Sequence, residues 1–383
     1  MPEPTPQAAP AGGTAPSRPA PDPRPDLLGR SRQETAALLA PVVDRPFRAR
    51  QVWDALHLQG VADFADITNL PKELRSELAE HFRIGMPRVE TGVPADDGTV
   101  KYLLRLQDGA SIEAVDIPAP ADAGGHHTLC ISSQAGCALA CAFCVTGYWG
   151  AGRNLSAGEI AGQVLAVRRA GELPESLNVV FMGMGEPLLN MDGVRGALEV
   201  MTETLSWRRI TVSTSGIVPA IDEMAAWPER PNLAISLHAA EDGLRSELMP
   251  INRTHRLADL MAALRRYPLA KGRRITIEYI LIRGVNDSPA QADALAGLLS
   301  GLQCKVNLIP INPDPVLGER MVPPDMAAVD AFHRRLKGHG LISTVRRPRG
   351  DDVAAACGQL RAYDRAPKGF AGRSLGKNFR GSS

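Results

Sequence analysis

Three cysteines, Cys137, Cys141 and Cys144, fall within the nine-residue stretch GCALACAFC, and they are half of the six in a chain of 383 residues. Gaps of three and two residues bring three thiolates close enough to bind one centre. A structural zinc site wants four ligands, commonly in two separated pairs. Here the fourth would have to be Cys130 or a histidine of GGHHT. Iron–sulfur clusters are held by thiolates. A four-iron cluster on three of them leaves one iron without a protein ligand, and an open metal position is what a catalytic site keeps for a substrate or cofactor. Three buried cysteines in a turn would leave the clustering unexplained.

Other residue types suited to chemistry are scattered. GMGEP follows an apolar run, which places Gly185 and Glu186 at the C-terminal end of a strand. Glycine there lets the backbone approach a ligand, and a carboxylate can accept from an ammonium group. Cys130 and Cys357 read equally well as core thiols or reactive ones, and Cys304 in CKVNLIP reads as core. Glu113 in SIEAVDIP reads on spacing alone as a solvent-facing strand glutamate, and His238 as a satisfied core histidine.

These residues need elements to position them. Residues 26–86 carry apolar side chains at three- and four-residue spacing in SRQETAALLAPVV, RARQVWDALHLQG and LPKELRSELAEHF, which predicts a small helical module. Residues 87–126 alternate as strands around QDGA, whose Asp-Gly pair signals a hairpin. From residue 127 to 360, apolar β-branched runs (TLCIS, LNVVFMGM, RITVSTS, LAISLHA, RITIEYILI, CKVNLIPI, LISTVRR) alternate with helical segments such as SAGEIAGQVLAVRRA, where Ser156 and Glu159 could form a capping box. That rhythm predicts parallel strands joined by crossovers, in a full or partial α/β barrel with its functional residues at the C-terminal strand ends.

Residues 1–25 hold nine prolines and no apolar h-region, so they read as a solvated, disordered arm and not as a secretory signal. With no apolar run of eighteen residues, no transmembrane helix is expected. Unevenly spaced cysteines without an export signal suit a reducing cytoplasm and not a disulfide scaffold. A net charge of +1 says nothing about nucleic acid by itself, but residues 361–383 carry six Lys and Arg against one acid, and TVRRPRGDD holds Arg346, Arg347 and Arg349. Such clusters attract phosphate backbones or simply solvate a surface.

CxxxCxxC with Phe143 before its last cysteine resembles the radical S-adenosylmethionine (SAM) enzymes. Further motifs in order and register (TLCISSQAGCALACAFC, GRNLSAGEIAGQV, VVFMGMGEPLLN, TVSTSGIVPA, AISLHA, LMPIN, NLIPINP and GDDVAAACGQL) narrow the resemblance to RlmN-type dual-specificity RNA methyltransferases, from about residue 48 to residue 360. One departure is GAGRNL at residues 150–155, where the family commonly has GFNRNL. The resemblance implies a partial (β/α)6-type radical SAM barrel with an N-terminal helical accessory domain for RNA binding and a small β extension. It implies methylation of C2 of adenine 2503 in 23S rRNA and of adenine 37 in certain tRNAs. Cys137, Cys141 and Cys144 would hold one [4Fe-4S] cluster whose fourth iron SAM chelates. Gly185, Glu186, Ser213, Ser236, Leu237, His238 and Asn312 would contact SAM. Cys357 would carry the methyl group, Glu113 would accept the C2 proton, and Cys130 would resolve a covalent protein–RNA link by forming a disulfide. A reductant protein, no membrane and a cytoplasmic monomer complete the expectation. Two rivals stand beside it: a Cfr-type enzyme that methylates C8, and a zinc-stabilised RNA-binding protein.

Overall fold

The computed structural model describes residues 22–119, 126–171, 173–174, 177–318, 321–346 and 349–361. Most of the proline-rich arm and the basic tail from residue 362 onward lie outside them. The helical module forms where the periodicity places it. A capping box opens α1 (Arg32–Leu39), with the Ser31 side chain on the Glu34 N–H and the Glu34 side chain on the Ser31 N–H. Pro46 starts α2 (Pro46–His57), and α3 (Lys72–His81) follows Pro71. Their apolar faces enclose a small core of their own, including Leu39, Val52, Leu56 and Leu78, which Leu165 from the larger unit joins. Residues 22–25, the end of the expected arm, are largely exposed but hydrogen-bonded to this module. Arg83 donates its backbone N–H to Pro25 O and its Nε–H to Arg24 O.

The remainder is built on one ten-stranded sheet in which spatial order follows chain order. Antiparallel β1 (Arg88–Pro94), β2 (Val100–Arg105) and β3 (Ser111–Ile117) form the extension, and the β2–β3 hairpin turns at Gly109, whose φ of 82° suits glycine. β3 runs antiparallel to β4 (His127–Cys130). From there every pairing is parallel, through β5 (Leu177–Phe181), β6 (Ile210–Thr214), β7 (Asn232–Ser236), β8 (Ile275–Leu281), β9 (Cys304–Pro310) and β10 (Ser343–Val345). Parallel neighbours need crossovers. They are α4 (Ala157–Ala170), α5 (Met191–Met201), α6 (Val218–Ala225), α7 (Asp242–Leu248) with α8 (Leu257–Arg266), α9 (Pro289–Leu298) and α10 (Met326–Gly338). The Ser156–Glu159 capping box is present at α4.

Among the alternatives left by periodicity, the partial barrel is the one formed: β1 and β10 are the edges, and the sheet does not close. All seven parallel strands point their C-terminal ends the same way, so residues at or just past those ends share one mouth. Among the described residues no helix is long and apolar enough to cross a membrane.

Candidate active site

The cysteine loop leaves the end of β4 and is tied down at both sides. Cys137 N–H donates to Gly150 O at 3.1 Å, Ala135 N–H to Arg153 O at 2.9 Å, and Ala142 N–H to Leu248 O at 2.9 Å. Ala140, between the first two cysteines, has a φ of 51°. A non-glycine residue held there stores strain of the kind that collects at functional sites. The three thiols open on one cavity of about 160 Å³ at the C-terminal ends of the barrel strands.

Withdrawal from bulk water pushes all three thiols up, Cys137 to about 12, and the neighbouring thiols add to it. Held as thiolates, they need a nearby cation, which a metal centre provides. Among the described residues no group of three or more His, Cys, Asp and Glu is arranged to hold a single metal ion. Three soft sulfur donors around one cavity fit the larger iron–sulfur cluster.

The same cavity is lined by Gly185, Glu186, Ser213, Ser236 and His238, each brought there by a strand end. Gly185 has a φ of 99°, and a Cβ on it would stand 2.5 Å from the Gln134 Cβ, so only glycine fits. Glu186 is buried and accepts from the backbone N–H groups of Leu188 at 3.0 Å and Ser215 at 2.7 Å. Burial pushes its carboxyl up, against those donors, which favour the anion. His238, at a φ of 60°, accepts the Ile280 N–H on Nδ1 at 3.0 Å and meets the Phe143 ring edge-on at 4.6 Å. Burial lowers it to about 3. Neutral, with Nδ1 accepting, the imidazole carries its proton on Nε2 and can donate from there. Leu237 is fully buried and does not line the cavity.

Cys357 lines this cavity and also a smaller adjoining one that contains Asn312. Asn312 Nδ2 donates to the Cys357 carbonyl oxygen at 3.2 Å. Although 227 positions separate them in the chain, Cys130 feels Cys357: burial first, and the Cys357 thiol second, push the Cys130 thiol up to about 12. Cys304 is a buried core thiol at the start of β9, as its surroundings in the sequence suggest.

Two expectations about charged residues change. Glu113 is fully buried, not solvent-facing. Its Oε1 lies 3.4 Å from Lys101 Nζ, and Oε2 accepts the Arg361 N–H at 2.7 Å. It opens on a different cavity, beside Lys101 and Asp352, so the structure ties it to the Cys357 segment without placing it among the thiols. Arg346 is no external grip either: its charge faces Cys357, Glu278 and Cys130, which together raise its own pKa. Arg349 is engaged by Asp97 at 2.6 Å, and Arg347 lies outside the described residues.

Sequence reasoning overlooked Glu278 and Arg245. Glu278, in β8, lines the thiol cavity and accepts from Asn307 Nδ2 at 2.8 Å. Arg245 is fully buried beneath the strand ends, and burial lowers it to about 10, which leaves it charged at neutral pH. The one available signal for Glu278 was a lone acid in the otherwise apolar run RITIEYILI.

Comparison with known proteins agrees with this geometry. Residues 131–295 match the model of the Radical SAM superfamily, and residues 25–84 match that of the ribosomal RNA large subunit methyltransferase N-terminal domain. The chain is 45% identical over 380 residues to the dual-specificity RNA methyltransferase RlmN of Phenylobacterium zucineum, covering 94% of this chain and 97% of that one. It is 47% identical over 360 residues to the RlmN of Rhodospirillum rubrum, covering 91% and 82%. A solved radical SAM methyltransferase from Sphaerobacter thermophilus superposes with a TM-score of 0.82 at 43% identity, over 88% of this chain and 99% of that one.

Proposed function

The chain belongs to the RlmN family of radical SAM RNA methyltransferases, and from that premise we propose that it methylates C2 of adenine 2503 in 23S rRNA and C2 of adenine 37 in tRNA. C2 of adenine is electron-poor and cannot attack a methyl sulfonium directly, so the difficult step belongs to the cofactor and the protein positions and shields it. When bound, the [4Fe-4S] cluster supplies the electron that cleaves SAM reductively. Cys137, Cys141 and Cys144 would hold it, which leaves one iron for the amino and carboxylate groups of SAM. Glu186 and the Nε2–H of His238 would take the polar groups of SAM, Ser213 and Ser236 would line its sides, and Gly185 would let the backbone close on it.

Cys357 would accept a methyl group on sulfur and present it to C2 from the cavity it shares with the three thiols. One hydrogen atom of that group would pass to the 5′-deoxyadenosyl carbon of cleaved SAM, and its carbon would bond C2. Loss of the C2 proton, and of one electron returned to the oxidised cluster, would leave a thioether link. Cys130 would then attack the Cys357 sulfur. An S–S bond forms, the S–C bond breaks toward the nucleobase carbon, and a proton completes the new methyl group. A reductant must reopen the disulfide before the next turnover. Arg346 faces both sulfurs and can stabilise either as a thiolate. Glu113 would accept the C2 proton if the flipped adenine reaches the Lys101 side of the Cys357 segment. The helical module, residues 26–86, would grip the RNA backbone and give position more than base identity.

The observation that carries this reading is Cys357 opening on the cavity of the three-cysteine set while facing Cys130. The test is reconstituted protein, a chemical reductant, SAM and a 23S rRNA fragment or tRNA, followed by nuclease digestion and mass spectrometry. 2-Methyladenine is the expected product. 8-Methyladenine, or no methylated base from iron-loaded protein, would overturn the proposal.

A further inference from the structure

At the opposite end of the strands, away from the thiols, four arginines converge on a second cavity of about 200 Å³. Arg208 sits just before β6, Arg230 just before β7, and Arg273 and Arg274 just before β8. Strands of five to seven residues at ~3.3 Å per residue put this cavity about 16–23 Å from the Cys357 mouth. Its one acid among the described residues is Glu229. Among the described residues none of the four guanidinium groups is in an ion pair, whereas acids engage many other arginines of this chain, Arg266 through Asp222 and Arg335 through Asp293 among them.

The four arginines divide by their contacts. Arg230 is turned toward the Trp227 carbonyl, and Arg273 donates to Asn232 Oδ1 at 2.6 Å, so these two are fixed in the wall. No described residue receives a hydrogen bond from the side chains of Arg208 or Arg274, and both are exposed. Tyr267 closes the inner side. It is 6% exposed, and among the described residues its buried hydroxyl has no hydrogen-bond partner, so a polar group entering the cavity can satisfy it. Trp207, half-buried at the rim, offers a flat face. Converging, unpaired guanidinium groups are the usual recognition chemistry for phosphate, and an aromatic rim suits a base or sugar attached to it.

We propose that this cavity is a phosphate-binding site in which Arg208 and Arg274 clamp a phosphoryl group against a wall formed by Arg230 and Arg273. At about 200 Å³ it is smaller than the ~300–1,000 Å³ of drug-sized sites. It therefore takes the phosphate and part of one ring. Two sources offer that chemistry: a backbone phosphodiester of the RNA, or a free nucleotide. The phosphate site itself is independent of the reaction proposed above.

The test uses full-length, cluster-loaded protein and the double variant Arg208→Gln/Arg274→Gln, with Arg274→Lys as a conservative control and a thermal melt to confirm folding. Titration calorimetry with inorganic phosphate and with adenosine 5′-monophosphate reads the site directly. Binding by the parent protein that falls at least ten-fold in the double variant and recovers in Arg274→Lys supports it. Filter binding of tRNA and the rRNA fragment across a salt series separates the sources. A ten-fold loss of RNA affinity, with a log–log salt slope shallower by about 1–2, assigns the site to the RNA backbone. Unchanged RNA binding alongside lost nucleotide binding assigns it to a free ligand. If the parent protein binds neither phosphate nor nucleotide at 10 mM and the variant keeps its RNA affinity, the proposal is overturned.

Discussion

The backbone N–H of Val145, one residue past the last thiol of the trio, donates to the carbonyl oxygen of Gly358, one residue past Cys357, at 2.6 Å. A second tie runs beside it from Thr146 Oγ1 to Leu360 O at 2.8 Å. The segment carrying the proposed methyl-bearing thiol is thus bolted onto the loop of the proposed cluster ligands. Distance between the two chemistries is set by backbone, not by flexible side chains.

Gly358 makes that bolt possible and supplies the first prediction. Its φ is 84°, and a Cβ would stand 3.1 Å from Phe143 O. Gly358→Ala should lose about 1–2 kcal/mol from the left-handed conformation alone. It should also push the Cys357 segment off the cysteine loop, reducing methyl transfer at least ten-fold. Iron and sulfide content should match the parent protein, since no cluster thiol changes. An enzyme with full methyl transfer would mean that the spacing between the two segments is not critical.

Cys130 and Cys357 should be separable by what accumulates. In Cys357→Ala, iron loading should persist, while neither methylated protein nor methylated RNA forms. In Cys130→Ala, the protein–RNA link should form and remain unresolved. Denaturing gel electrophoresis with labelled RNA reads both. Equal behaviour of the two variants, or loss of iron in Cys357→Ala, would contradict the assigned order of events.

A pH effect on stability follows from the helical module. His57 is buried, and burial lowers it to about 4. Its Nε2 accepts the Gly29 N–H at 3.0 Å, and Nδ1 meets Trp53 O at 3.1 Å. The unfolded chain takes up a proton near the ordinary histidine value of 6.5, whereas the folded chain resists until about 4. Between those values the unfolded state binds more protons, so stability falls as pH falls. The loss amounts to about 3 kcal/mol by the lower end of the window. His57→Gln keeps a donor and an acceptor and removes this contribution. Denaturant melts from pH 7 to 4 should therefore show a shallower decline in the variant, and parallel curves would show that His57 is not the titrating group.

The wall of parallel strands was legible because apolar runs such as RITIEYILI leave a chain few other ways to bury both faces, and the thiol trio because spacing alone made it improbable as core. Glu113 was misread for a physical reason: alternation marks a one-faced strand, yet β3 is buried along both faces. Arg346 looked like part of a basic surface patch, since a run of arginines carries no hint that one of them turns inward. Asn312 could be placed past a strand end, but its hold on the Cys357 carbonyl required the fold. In each case the missing information was what lay opposite, which periodicity along one segment does not encode.

Arg245 shows the same limit and yields the last prediction. Nothing in EDGLRSEL singles it out, yet it is fully buried and bonded at every face of its guanidinium. Nε donates to Leu237 O at 3.1 Å, Nη1 to Asn252 Oδ1 at 2.8 Å, and Nη2 to Ser215 O at 2.7 Å. It thereby pins the chain just past β6 and β7, next to Ser213 and Ser236 at the strand ends and to His238 beyond β7. Arg245→Met would strand three buried acceptors at ~1–3 kcal/mol each, a loss of about 3–9 kcal/mol in chemical denaturation. Arg245→Lys keeps the charge but reaches fewer acceptors and should fall between. Because the pinned loops line the proposed SAM site, the lysine variant should also bind SAM several-fold more weakly by equilibrium dialysis while holding its iron. A methionine variant within 1 kcal/mol of the parent would show that the loops hold their positions through packing, with the buried cation dispensable.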